Sequence, residues 1–209
     1  MLSGIKRRKG SLWMVLVLAL FLGDAHGAAA GGPLDRVRET LDGARRLLQD
    51  PALAGPERTE ARREKIGTLI RDGFDYRAMA RQALGEHWKR LSTAQRRHFV
   101  ALFGELFERS YTRLVVSSLE GQTITYEGEQ IAPGGRAATV PTVLITKGGE
   151  RLPVEYQLRH HAGRWVFVDV TIDGVSIVKN YQIEFNRIIG TRSYDELVRK
   201  MEIKRREAP

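Results

Sequence analysis

The sequence predicts an α+β domain: helices packed on one face of a curved, roughly four-stranded antiparallel sheet. Three observations carry that expectation. Apolar residues recur at steps of three and four as far as Leu114, and at helical spacing again from Tyr181. Between Ile124 and Ile172 they recur at steps of two. Short turn-forming clusters separate the alternating runs, as antiparallel strands require.

The helices come first. Leu34, Val37, Leu41, Ala44 and Leu48 mark an amphipathic helix ending before Pro51, and Pro51 to Pro56 reads as a loop. Ile66, Leu69 and Ile70 lie on one face of a second helix, stopped by Asp72-Gly73. Phe74-Asp75 opens a third, which carries Tyr76, Met79, Ala80, Ala83 and Leu84, with Trp88 just past Gly85. Ser92-Thr93-Ala94-Gln95 is a capping box, in which the hydroxyl takes a free backbone N–H and the glutamine reaches back. The helix it starts has a stripe of Phe99, Leu102, Phe103, Leu106, Phe107, Tyr111 and Leu114. Such a stripe either fills a thick core or lines a cavity.

The strands follow. Ile124 and Tyr126 alternate with threonines up to a bulge or bend at Gly128. Val140 to Thr146 is rich in β-formers and ends at the hairpin-like Lys147-Gly148-Gly149-Glu150. Leu152, Val154, Tyr156 and Leu158 then alternate with Pro153, Glu155, Gln157 and Arg159, and His160-His161-Ala162-Gly163 reads as the next turn. Val166, Val168, Val170 and Ile172 alternate with Phe167, Asp169, Thr171 and Asp173. Asp173-Gly174 reads as a turn and Asn180 as a helix N-cap. Tyr181, Phe185, Ile188 and Ile189 belong to one closing helix; a capping box at Ser193 to Glu196 starts another, with Leu197, Val198 and Met201.

Residues 1–27 read as a secretory signal peptide. Lys6 to Lys9 are basic, Leu12 to Leu22 are apolar, and small residues follow Ala25. The apolar run falls short of the ~20 residues that span a bilayer. Residues 28–209 then form one domain, exported to the periplasm. Cys is absent, so neither an acylated lipoprotein nor disulfide support is available.

Without the four cations of the first segment and Asp24, 30 basic and 24 acidic residues remain, with opposite charges interleaved. Mixing of this kind marks solvated helix faces and excludes a nucleic-acid groove, which needs clustered cations and stacking aromatics. A mildly basic surface also suits anionic lipid headgroups or an acidic partner protein.

A sheet bent around a helical layer leaves a cone-like space, the plan of cystatin-like and nuclear-transport-factor-like (NTF2-like) folds. Two groups of residues carry a family resemblance. The first comprises Phe74-Asp75, Met79-Ala80, Leu84-Gly85-Glu86-His87-Trp88, Thr93 to Phe99 and Tyr111-Thr112-Arg113-Leu114. The second comprises Asp173-Gly174-Val175-Ser176, Asn180-Tyr181, Phe185 and Ile188-Ile189. Together they resemble the MlaC, or toluene-tolerance, family over nearly the whole exported chain. A departure is Lys179 to Glu184, where relatives often have a more basic stretch.

The resemblance implies a soluble periplasmic carrier that binds phospholipid and shuttles it between outer and inner membranes. Its implied partners are an inner-membrane ABC transporter with an MCE-type subunit and an outer-membrane lipoprotein and porin complex. It implies a role in outer-membrane lipid asymmetry, with no cofactor and no catalysis. The expected lipid-binding wall takes Phe74, Met79, Leu84 and Trp88 from the third helical segment, and Phe99, Phe103, Leu106 and Tyr111 from the long helix. From the strands it takes Tyr156, Leu158, Val166, Val168, Val170 and Ile172, with Val175 and Ile177 beyond them.

Two other function classes share this composition. A fold of this type with Tyr and Asp in its pocket can run isomerase chemistry. Against that, valines facing the pocket would turn Asp169 and Asp173 away from it. His160-His161 forms no metal pair, because neighbours on a strand point to opposite faces. Gly-x-Ser-x-Gly, His-Glu-x-x-His and phosphate-loop motifs are missing, and Ser117-Ser118 has no neighbouring base. The other class is an interaction protein whose aromatic stripe fills a solid core.

Overall fold

The structure, a computed structural model, describes residues 31–119 and 121–207. The expected signal peptide lies outside the described residues. Helix α1 (Pro33–Gln49) begins with proline, whose missing N–H costs nothing there, and stops before Pro51. Two short 3-10 turns, Pro51–Leu53 and Pro56–Arg58, lead to α2 (Thr59–Gly73). The Asp75 carboxylate accepts the Ala78 N–H at 2.9 Å and so caps α3 (Tyr76–Leu84). Asp75 also donates its own N–H to the Phe167 carbonyl at 2.9 Å and pairs with Arg159, which fastens the start of α3 to the sheet. Gly85 (φ 53°) ends α3 and opens a 3-10 segment, Gly85–Arg90, that carries Trp88. In front of α4 (Thr93–Leu119) the Gln95 N–H reaches Ser92 Oγ at 3.2 Å, and the Ser92 N–H reaches Gln95 Oε1 at 2.9 Å. The capping box is reciprocal, as its residues predict.

The sheet is open and antiparallel, in the order β1 (Thr123–Tyr126), β3 (Ala137–Ile145), β4 (Arg151–His161), β5 (Arg164–Ile172), β6 (Val175–Ser176). The short β2 (Gln130–Ile131) also pairs with β3. Two-residue loops with positive φ at both positions, Ala162-Gly163 (48° and 79°) and Asp173-Gly174 (48° and 76°), join the last three strands. That backbone matches the twist of the strands it connects. The expected turn at His160 to Gly163 is therefore shorter. His160 and His161 stay in β4, because two residues suffice to reverse the chain.

Helices α5 (Ile177–Thr191) and α6 (Tyr194–Glu207) complete the helical layer. Ser176 caps α5, its Oγ accepting the Lys179 N–H at 3.0 Å. The expected cap, Asn180, lies inside the helix, since α5 starts directly from the hairpin turn.

Cross-strand register puts Leu144 with Leu152, Thr142 with Val154, Val140 with Tyr156, and Ala138 with Leu158 on the inner face. Between β4 and β5 the register shifts: Gln157 faces Asp169, but Leu158 faces Phe167. Val168 is the additional residue of a β-bulge. Beyond it the alternation changes phase, so Val170, Ile172, Phe167 and Trp165 share the inner face. The sequence expectation that Val166 and Val168 face the helices is corrected here. Val166 pairs with Arg159 on the outer face, and Phe167 takes the inward position.

Asp169 anchors this bulge. Its carboxylate, 6% exposed, accepts the N–H groups of Val170 (2.8 Å) and Val178 (3.0 Å) and the Ser176 hydroxyl. A carboxylate at the start of α5 is further favoured by the helix dipole.

Candidate functional site

Between the two layers lies a cavity of about 150 Å³. Its helical wall comes from Leu41 and Ala44 on α1, Leu69 and Ile70 on α2, and Phe107, Tyr111, Leu114, Val115 and Leu119 on α4. Its sheet wall is the inner face from Ile124, Leu144, Leu152 and Ile172 to Val154, Val170, Tyr156 and Phe167. Phe74 and Ile177 close the sides. Leu114, 39% exposed, is the most exposed of these side chains and marks the mouth. The inner face continues past Tyr156 and Phe167 to Leu158, Val140 and Trp165, which are packed against α1 as solid core. The cavity thus has an open end beside the second half of α4 and a floor at Tyr156.

Four hydroxyls interrupt this apolar lining. Thr40 donates to the Arg36 carbonyl at 2.9 Å and Thr142 to the Val154 carbonyl at 2.8 Å. Tyr111 has the phenol of Tyr181 as an electrostatic neighbour. The Tyr156 phenol has no hydrogen-bond partner among the described residues, and burial pushes its pKa well above the ordinary tyrosine value. Its oxygen is not sealed, unlike that of Tyr126, and Tyr156 is part-buried on the cavity wall.

The structure brings six of the sequence-predicted residues to this cavity: Phe74, Tyr111, Tyr156, Val170, Ile172 and Ile177. Met79, Leu84, Trp88 and Phe99 are instead packed in the solid core of α3 to α6. Phe103 and Leu106 line a separate hollow of about 120 Å³ between α4, α5 and α6. Leu158 is fully enclosed beyond the floor, Val166 and Val168 are on the outer face, and Val175 is 61% exposed in the β5–β6 hairpin. The division follows the length of α4, about 40 Å at 1.5 Å per residue. Its first half meets α5, with ring centroids of Phe99 and Phe185 at 5.7 Å and of Phe103 and Tyr181 at 5.3 Å. Its second half reaches over the sheet.

Sequence reasoning missed the contributions of α1 and α2, and of Phe107, Leu114 and Val115. A signal existed for α1. Its apolar stripe is far larger than a helix end needs for capping, and Leu41 and Ala44 sit within it.

A family model for "MlaC protein" matches residues 38–203. The chain belongs to the MlaC family. A solved structure of similar fold is the phospholipid-binding protein from Ralstonia solanacearum, determined in complex with a phospholipid. It superposes on this MlaC-family chain with a TM-score of 0.72 and 18% sequence identity, covering 85% of this chain and 99% of its own. At that identity the likeness concerns the fold: the same helical layer over an open antiparallel sheet.

Proposed function

We propose that this MlaC-family protein is a periplasmic lipid carrier that holds phospholipid acyl chains in the cavity between its helices and its sheet. In this reading it shuttles lipid between outer and inner membranes, exchanging it with an ABC transporter bearing an MCE-type subunit and with an outer-membrane lipoprotein and porin complex. Outer-membrane lipid asymmetry and solvent tolerance would depend on that traffic. The supporting observation is the cavity itself, apolar on both walls and open at Leu114. The Ralstonia protein, of like fold, binds a phospholipid. An interaction protein with a solid core would have no such space.

The energetics suit carriage. Each methylene gains about 0.8 kcal/mol on leaving water, so a lipid with ~30 methylenes faces on the order of 20 kcal/mol for free transfer. A wall as apolar as the membrane interior nearly cancels that term. At about 150 Å³ the cavity holds a benzene-sized solute, whereas lipid-sized ligands need several hundred Å³. Loading therefore parts α1, α2 or the second half of α4 from the sheet.

Catalysis is disfavoured because Asp169, the acidic neighbour of the lining residue Val170, has its carboxylate oxygens engaged by the backbone and by Ser176. The test is lipid extraction and mass spectrometry on protein purified from a membrane-containing host. Phospholipid at near-stoichiometric amount is expected, and Ile172→Trp, which fills the mouth side of the cavity, should retain much less. Protein that carries no lipid and takes none from vesicles would overturn the reading.

A further inference from the structure

The cavity is polar at the wrong end for a plain hydrocarbon tail. The exposed Leu114 marks its mouth, and Leu152 and Ile172 stand at the ends of β4 and β5 away from the solid core, while Tyr156, next to that core, has no hydrogen-bond partner among the described residues. Beside it on the inner face, and also without a partner, is the sealed hydroxyl of Tyr126, across β3. The two threonines of the lining donate to backbone carbonyls and the Tyr111 phenol has that of Tyr181 as a neighbour, which leaves Tyr156 as the hydroxyl next to the solid core without a hydrogen-bond partner among the described residues. A saturated chain end reaching the floor would leave that donor unsatisfied in an apolar setting.

We propose that the cavity selects acyl chains carrying an oxygen function part-way along their length, a hydroxyl or keto group that accepts a hydrogen bond from the Tyr156 phenol. The inference rests on the reading of the cavity as an acyl-chain site. From the level of Leu152 to that of Tyr156 is four residues of strand, about 13 Å at ~3.3 Å per residue, the length of roughly ten methylenes. The favoured oxygen is therefore near the middle of a long chain. A hydroxyl close to the carboxyl end would sit at the mouth, in water, and gain nothing.

The experiment is displacement of a fluorescent acyl probe from the delipidated exported chain by octadecanoate, 3-hydroxyoctadecanoate and 12-hydroxyoctadecanoate. Wild type and Tyr156→Phe are compared. The measured quantity is the affinity of each hydroxylated chain relative to octadecanoate within one protein, so a general weakening of the variant cancels. Relative affinity for the 12-hydroxy chain is expected to fall roughly three- to tenfold in Tyr156→Phe, with no matching fall for the 3-hydroxy chain. Equal ratios in the two proteins overturn the selection, and a water on the phenol is then its partner. In that case, displacement by octadecanoate leaves the carrier reading standing. If none of the three chains displaces the probe from wild type, the acyl-chain reading fails as well.

Discussion

The Asp169 carboxylate accepts the backbone N–H of Val178 at 3.0 Å, joining the last long strand to the first turn of α5 across the Asp173-Gly174 hairpin. The same oxygen takes the Val170 N–H, and the other takes the Ser176 hydroxyl. Three donors thus converge on one buried anion. The position of α5, which supplies Ile177 to the cavity, depends on it.

Asp169→Ala leaves those donors without an acceptor and should cost about 3 kcal/mol, since hydrogen bonds to charged groups are worth ~1.5–3 kcal/mol each and relaxation recovers part. Asp169→Asn keeps one acceptor oxygen and loses the charge, for a cost of about 1 kcal/mol. Urea unfolding at constant m-value distinguishes them. Equal midpoints for wild type and Asp169→Ala would contradict this account.

The bulge at Val168 yields a paired prediction. Val170→Lys puts an ammonium into the cavity wall, where an unpaired charge is expensive, and should remove retained lipid. Val168→Lys points to the outer face and should cost about 1 kcal/mol or less while lipid retention persists. Extracted lipid per mole of protein is the readout. Loss of lipid in both variants would mean that strict alternation, without the bulge, describes β5.

Alkaline pH should unfold the protein through its tyrosines. All six are raised above their ordinary pKa, with burial the first cause in each, Tyr194 to about 12. Because the folded values exceed the unfolded value near 10, the neutral phenols contribute stability that is fully present below pH ~10 and is lost as pH rises toward the folded values. For the enclosed Tyr156 the loss is ~1.4 kcal/mol per pH unit in that window. Phenolate absorbance should appear together with loss of circular dichroism. Reversible ionisation of all six near pH 10 in the folded protein would contradict the burial.

The capping box before α4 gives a stability prediction. Ser92→Ala removes the acceptor for the Gln95 N–H and should cost ~1 kcal/mol, lowering the urea midpoint without altering lipid content.

Much of the architecture was legible because local rules and tertiary packing agree in it. The helix ends at Pro51, Gly73 and Gly85, the Ser92 and Ser193 caps, and the Asp173-Gly174 turn each rest on the chemistry of a few adjacent residues. The cavity was legible only in outline. Phe99 and Phe107 belong to one stripe with one period, yet Phe99 is packed on α5 and Phe107 lines the hollow. Nothing in the spacing separates core from cavity wall, since both require apolar side chains on the same helix face. β5 misled for a different reason. Its valines alternate perfectly, and the feature that breaks their phase is a mismatch with a neighbouring strand, which a strand's own sequence does not display. The N-cap at Asn180 was misplaced because a hairpin turn and a helix start share Ser176.

That mismatch makes one residue decide what half of a strand is for. Excising Val168 would splice β5 back into uninterrupted register with β4. Phe167 would follow Asp169 directly and still face Leu158, so Trp165 and Phe167 would keep the inner face, whereas removing Val166 instead would turn Trp165 outward. The hollow is therefore written in the count of residues along β5 as much as in their greasiness, and, loss of Val168 itself apart, an indel there would be felt more keenly than most substitutions.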